Sequence, residues 1–306
     1  TTGGREDVST TAPRIHVSFW GTRGSISTPG AVTQKYGGNT PCVSVQYGHT
    51  DIILDAGTGI RDLGIELAQR ADRNKRKLSL HLLLSHTHWD HIQGLPFFSP
   101  AYIPGTKMAI YGSPNKERFL AAILQRQMDV NYFPVGMNAL AAELSITEIS
   151  SSVLHIGPFT IDWQEQVCHP GGSVRYSLSA HGRKIVYATD VEIDKIFKAG
   201  NRMKRANKTL AREYRDFIRG ADLLIADGQY TKKEYPSRAG WGHSSVEALI
   251  AVAGKAGVRQ LAVFHHDPQH TDSMLDLLWE RYARLAKAVN PAMKMFWARE
   301  GMTLAV

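Results

Sequence analysis

The segment Ser85-His86-Thr87-His88-Trp89-Asp90-His91 gathers three imidazoles and a carboxylate within a few residues. Neutral imidazole nitrogen and carboxylate oxygen are ligands for Zn²⁺, Mn²⁺ or Fe²⁺. His86 and His88, two apart, can share one ion. Asp90 and His91 can reach a second ion about 3.5–4 Å away, the spacing of two-metal hydrolytic sites. The apolar run 78–84 before the cluster reads as a buried strand, so the cluster lies on the loop leaving it, where side chains converge.

A two-ion site needs further ligands, and the chain offers them where other strand-like runs end. His169 follows 159–166 and precedes Pro170-Gly171-Gly172, a turn that exposes it. Asp190 ends the run beginning at Lys184, and His265 and His266 close 260–264. Each alone reads as an ordinary polar strand end. Together they read as ligands converging on one sheet edge.

The elements that must position these groups alternate. Strand-like runs lie at 15–20, 42–47, 51–54, 78–84, 108–111, 159–166, 175–180, 184–188, 223–226, 260–264, 294–297 and 302–305. Helix-like runs lie at 60–71, 117–128, 194–219, 245–256 and 272–288, and 117–150 as a whole reads as apolar and helix-like. Ser244 with Glu247 predicts a capping box, and Gly257 a stop. With no linker, repeat or low-complexity tract, the expectation is one α/β domain over 14–306, layered sheets covered by helices. Residues 1–13 read as a disordered tail. That tail lacks a starting Met and is compatible with a signal peptide removed earlier.

Composition bounds the rest. At 306 residues, 43% hydrophobic and 21% charged, the chain has the make-up of a globular protein, without the roughly 20-residue apolar stretch of a membrane span. Two cysteines, Cys42 and Cys168, make no disulfide framework and read as buried free thiols, which favours the cytoplasm. The net charge is +8, and 194–219 concentrates it: nine basic residues against three acidic. Met203, Ala206, Leu210, Tyr214 and Phe217 recur there at helical spacing, so the charges belong to a solvated helix face, with steering of anionic substrates as the functional alternative.

The order of ligands resembles the metallo-β-lactamase fold superfamily, with its H-x-H-x-D-H, lone His, bridging Asp and final His. The resemblance covers nearly the whole chain. It implies a four-layer αβ/βα sandwich, two mixed sheets flanked by helices, and a di-metal centre between them. By that resemblance His86, His88 and His169 hold one ion, Asp90, His91 and the final His hold the other, and Asp190 bridges. Aligned on the family's His-x-x-Pro stretch, Phe264-His265-His266-Asp267-Pro268 makes His265 the ligand and leaves His266 near it or facing substrate.

Gly240-Trp241-Gly242-His243-Ser244-Ser245 resembles the G-H-S-[ST] segment of the phosphodiesterase branch, which includes transfer-RNA 3′-processing endonucleases and cyclic-phosphate phosphodiesterases. In that branch the His protonates the leaving oxygen, oriented by an acidic residue. Asp227 matches that position, although the nucleases carry Glu. His88 stands where the redox di-iron branch has Glu, and Cys168 aligns to no ligand. Glyoxalase-like thioesterases keep all seven ligands. The segments around Gly21 to Ser25, Tyr36-Gly37-Gly38-Asn39-Thr40 and Leu54 to Gly59 also fit the branch, most closely its bacterial cyclic phosphodiesterases. No Gly/Pro-rich transfer-RNA-binding arm is present in the sequence.

The implied activity is hydrolysis of a small phosphodiester, such as a cyclic nucleotide, by a hydroxide shared between two divalent ions. Zinc is expected, with manganese or iron as alternatives. Such ions lower the pKa of water from about 15.7 towards about 7. Asp90 is expected to take a proton, and His243 held by Asp227 to give one. Tyr36, Asn39, Arg175, Tyr176, Tyr230, His266 and His270 are candidates for base or phosphate contacts. A homodimer is expected, with no membrane partner. The alternatives are an RNA 3′-processing endonuclease using the basic helix as a clamp, a lactonase, thioesterase or β-lactamase, and a non-catalytic nucleotide-sensing module.

Overall fold

The computed structural model describes residues 14–113, 119–150, 153–197 and 205–306. Among these residues the strands are β1 His16–Gly21, β2 Cys42–Tyr47, β3 Thr50–Leu54, β4 Ser79–Leu83, β5 Lys107–Gly112, β6 Glu143–Glu148, β7 Val153–Ile156, β8 Phe159–Gln166, β9 Ser173–Ala180, β10 Arg183–Ala188, β11 Leu223–Asp227, β12 Gln260–Phe264, β13 Lys294–Trp297 and β14 Thr303–Ala305. The helices are α1 Ile60–Arg73, α2 Trp89–Ile92, α3 Leu120–Gln127, α4 Ile193–Ile196, α5 Arg205–Ile218, α6 Tyr235–Arg238, α7 Val246–Lys255 and α8 Asp272–Val289, with short 3₁₀ turns between.

The strands form two seven-stranded sheets, ordered β14-β1-β2-β3-β4-β5-β6 and β13-β12-β11-β10-β9-β8-β7. Both are mixed. In the first, β1 pairs antiparallel with β14 and β2, whereas β3 to β6 run parallel. In the second, β7 to β10 are antiparallel and β10 to β13 parallel. The period-2 alternation of strand side chains feeds two cores at once. Ile185, Tyr187, Leu223 and Ile225 meet Val17, Val45, Ile52 and Leu54 between the sheets. Their neighbours Val186, Ala188, Leu224 and Ala226 face the helices, against Tyr214, Leu249 and Tyr282. On the other side Ile53, Leu82 and Ile110 pack on Ile60, Leu63 and Leu67 of α1. The result is the expected four-layer sandwich of two mixed sheets flanked by helices.

Several local expectations change. The stretch 117–150 is not helical throughout: α3 ends at Gln127, and β6 runs from Glu143 to Glu148 at a sheet edge. Its residues alternate between exposed and half-buried, so the period-2 signal lacks an apolar face strong enough to read. β7, with the short sequence VLHI, is likewise an unpredicted edge strand. The cap of α7 is Ser245, whose Oγ accepts from the Ala248 N–H, rather than Ser244. Ser244 Oγ instead bonds the Val191 carbonyl and accepts from the Ile193 N–H. Glu247 accepts from the Lys232 N–H, so no capping box forms. Gly257 does stop α7, at φ 70°. Cys42 is buried and Cys168 only half-buried; both are free. The predicted tail 1–13 and residues 198–204 of the basic segment lie outside the described residues, as does the start of the predicted helix 117–128. No helix among the described residues is long and apolar enough to cross a membrane.

Candidate metal centre and proton donor

The strand ends deliver the site. His86, His88, Asp90 and His91 follow β4, the last two on α2; His169 follows β8, Asp190 follows β10 and His265 follows β12. Two of these turns require left-handed backbone, with φ 54° at Asp190 and 62° at His265. Such φ values in non-glycine residues cost of order 1–3 kcal/mol and persist only where the surroundings enforce them.

Three ligand-like groups result among the described residues: two match the expected ligands, and the third is Asp190, Asp227, His243 and His265. In the first, donor atoms of His86, His88 and His169 all lie within 4.8 Å of one another, and in the second those of Asp90, His91, Asp190 and His265 do. Asp190 faces both of these groups. Its Oδ1 is 3.3 Å from His91 Nε2 and from His265 Nε2, while its Oδ2 is 3.6 Å from His86 Nε2 and 3.8 Å from His169 Nε2. Asp90 Oδ2 lies 3.3 Å from His91 Nε2 and 3.2 Å from His265 Nε2, and accepts from the Ser25 N–H at 2.8 Å.

The remaining nitrogens are fixed from behind. His91 Nδ1 donates to Asp55 Oδ2 at 2.7 Å, and His169 Nδ1 donates to the Gly242 carbonyl at 3.0 Å. His265 Nδ1 donates to Gln229 Oε1 at 3.0 Å. His86 Nδ1 reaches Ser85 Oγ at 3.0 Å, and that hydroxyl donates to Asp55 Oδ2 at 2.8 Å. Each arrangement leaves the Nε2 lone pair aimed inward, as a ligating histidine needs. His86 Nε2 and His91 Nε2 are buried without a hydrogen-bond partner. His169 Nε2 faces His88 Nδ1 at 3.0 Å, a pair of ring nitrogens that only a shared proton or a cation reconciles.

The electrostatics point the same way. Burial and the neighbouring His91 imidazole hold His86 well below the usual imidazole pKa. Burial also disfavours charge on His91, yet Asp90, Asp190 and Asp55 raise it well above that value. The fold implies divalent metal ions, and these residues fit them.

His243 is the remaining imidazole, placed just before α7. Its Nδ1 donates to Asp227 Oδ2 at 2.8 Å and its ring stacks on His265 with centroids 5.0 Å apart. Burial opposes its protonation, but Asp227, Asp190 and Asp90 outweigh it and push its pKa up to about 9.

Of the candidate substrate contacts, only Tyr230 adjoins the site, its ring edge-on to His243 at 6.0 Å. Tyr36 donates to Asp276 on α8 at 2.7 Å, and burial pushes its hydroxyl up to about 12. Asn39 is tied to Glu300 and Thr58. Arg175 lies on the face of β9 opposite Val174 and Tyr176, so its guanidinium packs over Tyr214 and Phe217 of α5, 5.1 Å from each ring centroid. Tyr176 donates to the Leu84 carbonyl at 2.7 Å inside the core. His266 bonds the Ala298 carbonyl at 2.7 Å, and burial next to Arg23 pushes it down to about 3. His270 bonds Glu234 Oε1 at 2.9 Å. Sequence reading missed Asp55, Ser85 and Gln229 as orienting residues. The available signals were that Asp55 and Ser85 each follow an apolar strand-like run and that Asp55 lies in the segment Leu54 to Gly59.

Comparison with known proteins gives three results. The beta-lactamase superfamily domain matches residues 50–266. Ribonuclease Z of Brevibacillus brevis is 21% identical over 261 residues, covering 70% of this chain and 76% of its own. Among solved structures, the metallo-beta-lactamase fold protein YhfI from Bacillus subtilis has TM-score 0.64 at 18% identity, covering 96% of this chain and 100% of that one. Unliganded yeast PDE1 has TM-score 0.65 at 15% identity, covering 96% and 100%.

Proposed function

This chain belongs to the beta-lactamase superfamily domain family and is a metallo-β-lactamase-fold hydrolase, and on that premise we propose that it hydrolyses small phosphodiesters, cyclic nucleotides or cyclic phosphates. One observation carries the reading: a buried imidazole–carboxylate pair, His243 with Asp227, lies against the ligand cluster, and the 2.8 Å bond between the two commits them to each other. A phosphodiester expels an alkoxide, a poor leaving group that needs a proton. A thioester, which expels a thiolate, imposes no comparable demand at that position.

His86, His88 and His169 would hold one cation, Asp90, His91 and His265 the other, with Asp190 between. Their N/O donor set suits zinc, and also manganese or iron. When bound, the cations supply an activated water and neutralise charge on the phosphoryl oxygens. Asp90, fixed by the Ser25 N–H, receives the proton that the attacking water loses. His243 commits Nδ1–H to Asp227, which leaves Nε2 to protonate the departing oxygen.

The same chemistry on RNA is the second reading, favoured by the similarity to ribonuclease Z. The test is a screen of the purified, metal-loaded protein on cyclic nucleotides, a precursor transfer RNA, a thioester and a β-lactam. Turnover of only the last two would discard both readings. His243→Ala is expected to slow alkyl phosphodiesters by about 10²–10⁴-fold. Bis-p-nitrophenyl phosphate, whose leaving group needs no proton, should be affected far less. Equal losses on both would remove His243 from the acid role.

A further inference from the structure

Six tryptophans are present, and four of them are buried or half-buried: Trp20, Trp163, Trp279 and Trp297. The two exposed ones both adjoin the site. Trp89, 64% exposed, stands between His88 and Asp90. Trp241, 58% exposed, stands between Gly240 and Gly242, whose carbonyl holds His169. An indole left in water forgoes the stabilisation that burying a large aromatic ring brings, and beside a reaction centre its open face is free to take a flat partner.

Trp241 is also held rigidly. Its backbone N–H donates to the Arg238 carbonyl at 3.1 Å, and the Gly240 N–H donates to Glu192 Oε1 at 2.9 Å. Gly240 and Gly242 adopt φ 92° and 91°, and a Cβ at Gly242 would lie 2.3 Å from His169 Nδ1. The Arg238 guanidinium is 5.3 Å from the Trp241 ring and 5.2 Å from the Tyr230 ring, and is anchored by Asp267 at 3.0 Å. Tyr230 in turn meets His243. A run of packed groups, indole, guanidinium, phenol and imidazole, thus fixes the exposed ring relative to the proton donor. Adjacent Cα atoms are about 3.8 Å apart, so the indole begins one residue from the backbone carbonyl that holds His169.

We propose that Trp241 is a stacking platform for a nucleobase, and that the substrates are phosphodiesters bearing one. This rests on the phosphodiesterase reading. The base could belong to a free cyclic nucleotide or to an RNA end; the flat exposed ring recognises both by the same stacking, worth little to a substrate without a π-face.

Two measurements test it. The first compares kcat/KM on 2′,3′-cyclic AMP, on an RNA oligonucleotide and on glycerol 1,2-cyclic phosphate, which lacks a base. Trp241→Leu should lower the ratio of base-bearing to base-free efficiency about tenfold or more, chiefly through KM, whereas Trp241→Phe should preserve it. Whichever base-bearing substrate suffers identifies the source. Equal losses on all three, or a phenylalanine variant as impaired as the leucine one, would overturn the proposal. The second needs no turnover: adenosine 5′-monophosphate should quench indole emission of the wild type more than that of Trp241→Phe, and ribose 5-phosphate should quench neither. Undiminished quenching in Trp241→Phe overturns the platform. Quenching through Trp241 with no phosphodiester hydrolysed upholds the platform and rejects the phosphodiesterase reading instead.

Discussion

Asp55 accepts four hydrogen bonds, from the Ser85 N–H and hydroxyl, His91 Nδ1 and the Tyr187 hydroxyl, at 2.7 to 2.8 Å. It is fully buried and sets the tautomers of two imidazoles, one directly and one through Ser85. Asp55→Asn keeps the shape and tolerates the φ of 62°. It removes the charge that His91 donates to, so metal affinity is expected to fall about 10- to 100-fold. Competition against a chromophoric chelator would read the loss, and an unchanged affinity would contradict it. The contrast with the ligands shows what a sequence can reveal at this scale. His86, His88, Asp90 and His91 were legible because their types and spacing are rare outside metal sites. Asp55 was not, because a carboxylate after a strand resembles any cap, and Tyr187 lies 132 residues away. Tyr36 and Asn39 look like substrate contacts until Asp276 and Glu300, still more distant in sequence, are seen to occupy them.

At the level of elements, strands buried on both faces were legible as apolar runs, and the edge strands β6 and β7 were not, because half of their residues face solvent. The start of α7 was read one residue early. Both Ser244 and Ser245 are cap formers by type, and only tertiary contacts separate them: Ser245 takes the cap while also donating to Asp194 Oδ1 at 2.7 Å, and Ser244 braces the turn after Asp190. Ser245→Ala therefore loses a cap and leaves a partly buried carboxylate short of a donor. A destabilisation of about 1–2 kcal/mol is expected from the cap alone. It would appear as a lower urea midpoint with unchanged slope; no shift would assign the capping role elsewhere.

Across the whole molecule, the first sheet supplies His86, His88, Asp90 and His91 and the second supplies His169, Asp190 and His265. Bound cations would therefore join the two sheets at one end of their shared core. Removing them with a chelator should lower thermal stability. For an ion present at about 100 times its dissociation constant, the loss is about 2.7 kcal/mol. In a chain of this length that corresponds to roughly 4 °C. Differential scanning calorimetry with and without chelator would measure it, and coincident transitions would deny the cations any such role. The split ligand set also has a temporal side. During synthesis the four N-terminal ligands leave the ribosome first, His169 and Asp190 follow, and His265 comes last. The set that includes His265 is thus completed only in the closing moments of synthesis, and a nascent chain stalled early presents bare imidazoles to whatever metal is on offer.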